Sequence, residues 1–145
     1  MLIPNIDRWF LLLSLLSAIA GMSLGIIMGV RQDFSLAPVH AHVNLVGFVT
    51  PALFGIAYRI EWANKDRLAL LHFAVGGAGA VLLPLGIAVA MITHHATLAM
   101  IGSMLTLTSM LLFLINCIRA QWKVDSSTRL SNASSWKTSS ASSAS

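Results

Sequence analysis

Four apolar runs dominate this chain, and none of them contains Asp, Glu, Lys or Arg. Trp9–Val30 lies between Arg8 and Arg31, Ala37–Tyr58 ends at Arg59, Leu68–Thr93 follows Arg67, and Ala96–Ile118 ends at Arg119. Each has 22 to 26 residues, enough to cross a hydrocarbon core of about 30 Å at a rise of about 1.5 Å per helical residue. An unpaired backbone N–H or C=O is costly in lipid, so such runs must be helical. The expected fold is all-α, an integral membrane four-helix bundle, with spans at about 9–30, 37–59, 68–93 and 96–118 inside a membrane domain of residues 1–124. The first run is too long for a signal peptide and has no A-x-A cleavage pattern, so it is expected to stay in the mature chain.

Charge sets the class. Only 10% of residues are charged, 57% are hydrophobic and the mean hydropathy is +0.80, whereas a soluble domain carries about a quarter charged residues. The formal charge of +4 comes from residues that punctuate the apolar runs instead of forming a patch. Nucleic acid is therefore not an expected partner, and the lipid bilayer is. The lone cysteine, Cys117, excludes a disulfide or a cysteine-based metal site within one chain. Residues 125–145 are serine-rich and poor in core-forming side chains, which predicts a disordered tail. With four crossings, both termini share a side with the 59–67 loop. That side holds Arg8, Arg59, Lys65, Arg67, Arg119, Lys123, Arg129 and Lys137, against Arg31 alone on the other. The positive-inside rule then predicts cytoplasmic termini in a bacterial inner membrane, with Trp9, Trp62, Trp122 and Tyr58 as interfacial anchors.

This topology sorts the five histidines. His40 and His42 open the second span and His94 and His95 close the third, all at the non-cytoplasmic face. His72 and His94 are 22 residues apart, about 33 Å along a helix, so His72 cannot share a ligand with the other four. On a helix His40 and His42 point about 200° apart, so at most one of them faces the interior. Polar groups in membrane helices are expensive and mark candidate sites, and Asn44 adds a third beside this pair. Met28, Met91, Met100 and Met104 lie in the same leaflet. A thioether can be an axial haem ligand or a soft ligand for Cu(I), although methionines at helical spacing more often fill a core.

Small residues form a second pattern. Ser17, Gly21, Gly25 and Gly29 recur every four residues and make one smooth ridge on the first helix. Such ridges let membrane helices approach closely, and they also suit the flat face of a porphyrin. The run Val75–Ala80, "VGGAGA", with Gly86, offers a second smooth surface, and Pro51 and Pro84 are candidate kinks.

The run His40-Ala41-His42-Val43-Asn44, followed by Gly47, Phe54-Gly55 and Tyr58-Arg59, resembles the second helix of subunit I in the haem–copper oxidase superfamily. The likeness is closest to nitric oxide reductases and C-type oxidases. There, the histidine of an H-x-N element ligates the low-spin haem b, a role this resemblance carries to His42, with His40 as the alternative. The chain is also similar to small bacterial four-helix proteins grouped as oxidase subunit-I-like, through His40, His42, Asn44, Gly47, Tyr58, Arg59 and His72. A full subunit I places its second low-spin ligand, its high-spin haem ligand and its copper ligands on later helices, which this sequence lacks. A stand-alone oxygen-reducing enzyme is therefore not expected.

Three functions follow as expectations. The first is a membrane haem-b protein for electron transfer or haem sensing. Its axial ligand is His42 and its second ligand is His94, His95, Met100 or the His42 of another copy; His40, Asn44 and His72 are further candidate cofactor contacts. The second is a copper-binding protein using His40, His42, His94, His95 and Met100. The third is a cofactor-free structural or assembly subunit, working as a homo-oligomer or with a respiratory-chain partner.

Overall fold

The computed structural model describes the backbone of residues 5–142 and the side chains of residues 5–122. Among the described residues there is no strand. The elements are α1 (Ile6–Arg31), α2 (Ala37–His42), a π-helical segment (Val43–Val49), α3 (Thr50–Arg59), α4 (Arg67–Thr93) and α5 (Thr97–Ser142). α2, the π-helical segment and α3 run on as one rod, so four helical rods are long and apolar enough to cross a membrane: Ile6–Arg31, Ala37–Arg59, Arg67–Thr93 and Thr97–Trp122. The expected all-α, four-span fold is thus the observed one. Beyond Trp122 the backbone continues as helix to Ser142; the side chains of the expected disordered tail lie outside the described residues.

The first helix starts earlier than its apolar run. Asp7 is taken into the first turn of α1 and is buried, because Arg59 and Lys65 approach its carboxylate at 3.3 and 3.6 Å. The third rod starts with a side-chain cap: Asp66 Oδ1 accepts from the N–H groups of Leu68 and Ala69, two of the donors that a helix start leaves without a partner.

Pro51 explains the break in the second rod. It has no N–H, and its ring pushes against the carbonyl four residues back. The chain accommodates this by widening the preceding turn into π geometry. Leu45's carbonyl accepts from the N–H of Thr50 and also from its hydroxyl at 2.8 Å. Pro84 lies inside α4 without ending it.

α1 packs along the second rod, α4 pairs with α5, and the second rod and α4 join the two halves. In lipid no hydrophobic effect drives helices together, so close backbone approach matters most. Gly86 meets the backbone of Leu98 and Ala99, and Gly102 meets that of Leu82 and Leu83; a Cβ at either position would collide with main chain. A cluster of Ile6, Phe10, Phe54, Tyr58, Ala63 and Ala69, with Phe73, Phe113 and Cys117 against it, fills the end nearest the 60–66 loop. Large aliphatic side chains such as Ile26, Leu85 and Ile92 point outward, as a lipid-facing surface requires.

Candidate functional site

The histidines and asparagines of the bundle fall into two groups, one at each end. At the end opposite the 60–66 loop, α2 lays His40 and the following turn lays Asn44 onto the small-residue ridge of α1. A Cβ on Gly21 would lie 2.6 Å from Asn44 Oδ1, and one on Gly25 would lie 2.8 Å from His40 Cε1. One turn further, Gly47 faces Ser17 in the same way. His40 Nδ1 donates to the Gly21 carbonyl at 2.9 Å, since a carbonyl oxygen can only accept. Asn44 Nδ2 donates back to the His40 carbonyl at 2.9 Å. Along Gly21 and Gly25 the ridge is therefore a socket filled by two polar side chains, which leaves no bare wall there for a macrocycle. Gly29, with no atom within 4 Å of an added Cβ, is open.

His42 takes the opposite direction, as the 200° argument requires. Its ring is half-buried, and Nδ1 donates to the Pro38 carbonyl at 2.8 Å. This fixes the tautomer and leaves Nε2 with a free lone pair. His94 and His95 are exposed in the turn between α4 and α5. His94 closes α4 in a left-handed conformation, φ 60°, with its N–H on the Ala90 carbonyl. Met100 and Met104 are exposed on the outer face of α5 and Met91 on that of α4, whereas Met28 is buried. Among the described residues, no three His, Cys, Asp or Glu side chains gather closely enough to hold one metal ion.

The other end carries a network that the sequence hides. Tyr58, at the close of α3, is fully buried, so it is not the interfacial anchor its position suggests. Its hydroxyl lies 2.9 Å from His72 Nδ1 and accepts from Asn116 Nδ2 at 3.1 Å. Asn116 also donates to the Asn64 carbonyl at 2.9 Å, tying α5 to the loop before α4. With Asn116 donating to the phenol oxygen, the phenol proton is free to go to His72 Nδ1, and Nε2 then carries the imidazole proton. His72 is wholly enclosed. The rings of Phe54, Phe10 and Phe113 stand 4.5, 4.9 and 5.4 Å from it. The expected separation of His72 from the other four histidines holds.

Sequence reading passed over Asn116 and Asp7. Asn116 is the one amide in the last apolar run, a signal available without coordinates. Asp7 precedes the first apolar run, so hydropathy gives no sign of its burial.

These rods define a multi-pass, membrane-spanning four-helix protein. In comparisons with protein-family models, curated proteins and solved structures, the chain matches none. The likeness to oxidase subunit I therefore rests on the quoted motif residues.

Proposed function

We propose that this chain is a structural or assembly subunit of a membrane complex, with no cofactor of its own. The observation that carries this reading is the seating of Asn44 on Gly21 and of His40 on Gly25. Two of the motif residues, His40 and Asn44, are spent on joining two helices. The buried Tyr58–His72–Asn116 network does the same for α3, α4 and α5. A bundle tied at both ends, with an apolar outer surface, suits a scaffold that others pack against.

A second reading, a haem-b protein, has one observation in its favour. His42 is oriented through Nδ1 by a backbone carbonyl, and its Nε2 is free to ligate, which is how metal-binding histidines are commonly set. Its ring is half-buried, and the second axial ligand would come from His94, His95, Met100 or the His42 of another copy. Purification from haem-replete bacterial membranes, with reduced-minus-oxidised spectra and metal analysis, separates the readings. The scaffold reading expects a colourless, metal-free protein. Sharp low-spin α and Soret bands that vanish in His42→Ala would replace it with the haem reading. Stoichiometric copper lost in His94→Ala would replace it with copper binding at the exposed turn.

The same proposal places both termini in the cytoplasm, supported by the eight-to-one split of basic residues. In a Cys117→Ser background, Ser35→Cys is expected to react with an impermeant maleimide added to intact cells, and Asn64→Cys is not. The reverse pattern would invert the topology.

A further inference from the structure

The second rod and α5 lie diagonally in the bundle, with little direct backbone contact, yet their side chains meet in evenly spaced rungs. Tyr58 meets Asn116 through a hydrogen bond. One turn along, Phe54 meets Phe113 with ring centroids 4.6 Å apart. One turn further stand Thr50 on one side and Ser109 and Thr106 on the other. That third rung is polar on both sides, and it surrounds a cavity of about 10 Å³ lined by these three residues with Phe10, Phe54 and Gly76.

Ser109 behaves unlike its neighbours. Thr93, Ser103, Thr106 and Thr108 each donate their hydroxyl to the carbonyl four residues back, the usual resort of a hydroxyl in an apolar helix. Ser109 is buried, and its hydroxyl has no partner. It projects toward Gly76, where an added Cβ would lie 2.5 Å from Oγ. Thr50 and Thr106 give their protons to Leu45 and Gly102, so each keeps oxygen lone pairs that can accept.

We propose that this cavity is a binding site for one buried water molecule, which forms the third rung between the second rod and α5. The volume suits a single water, and such waters typically make about three hydrogen bonds. Ser109 Oγ–H donates to the water, and the water donates to Thr50 Oγ1 and Thr106 Oγ1. That arrangement partners the orphaned hydroxyl and links the second rod to α5 at this level.

Infrared difference spectra of the full chain in lipid, in ordinary and heavy-oxygen water, test this. The wild type is expected to show an isotope-shifted internal-water O–H band. Ser109→Ala should lose that band and Thr108→Ala, altered on the outer face, should keep it. A folded wild type without the band overturns the proposal, as does a band that survives Ser109→Ala. Should Ser109→Ala fail to fold, Thr106→Val is read in the same way. A high-resolution structure decides independently: density bonded to Ser109 Oγ supports the site, and a Ser109 hydroxyl turned onto the Leu105 carbonyl refutes it.

Discussion

Asn44 sits so close to Gly21 that a methyl group on that glycine would lie 2.6 Å from its side-chain oxygen. Overpacking of this kind typically costs about 1–3 kcal/mol. Gly21→Ala and Gly25→Ala are each expected to lower unfolding stability in detergent by that amount. Gly29→Ala, on the same ridge but with open space around it, should be neutral or gain up to about 1 kcal/mol from the lost glycine flexibility. Equal effects at all three positions would show that the ridge is not read by α2.

His40 and His42 should separate by stability. His40→Ala removes a hydrogen bond to Gly21 and empties the socket over Gly25, so a loss of about 1–3 kcal/mol is expected. The half-exposed His42 bonds only within its own turn, and His42→Ala should cost under about 0.5 kcal/mol. Thermal denaturation of the two variants side by side decides it, and the opposite ranking would mean that His42 is the inward residue.

Tyr58→Phe strips His72 Nδ1 of its partner inside a sealed aromatic box, and an unpaired buried polar atom costs about 1–3 kcal/mol. His72→Phe should be destabilising for the matching reason. The double variant is expected to cost less than the two singles together, because the second change removes the group that the first orphaned. Strict additivity in the double-mutant cycle would exclude coupling between them.

Asp7 is buried while Arg59, one of its partners, is 62% exposed, so solvent screens much of their attraction. Asp7→Asn is therefore expected to cost only about 1 kcal/mol, and high salt should shrink the difference from wild type. Asp66→Ala loses both a helix cap and the Arg119 contact. About 0.5–2 kcal/mol is expected for the cap, with little salt dependence in that part. Urea titrations at two ionic strengths distinguish the cases.

The four spans, their approximate lengths and the separation of His72 from the other four histidines were all readable from the chain. Lipid leaves backbone groups no partner except the helix itself, so a long uncharged run has one outcome whatever its neighbours are. Even the opposed directions of His40 and His42 follow from helical geometry alone. Which of the two turns inward did not, because that depends on where Gly21 and Gly25 of another helix come to rest. Likewise nothing local in "IAYRIE" or "LLHFAV" announces that Tyr58 and His72 hydrogen-bond to each other, or that Asn116 reaches both Tyr58 and the loop at Asn64. Periodicity records which face of a helix is apolar. The pairing of polar atoms is settled only when the rods close on one another, and a buried donor is satisfied only where the packing brings an acceptor within about 3 Å.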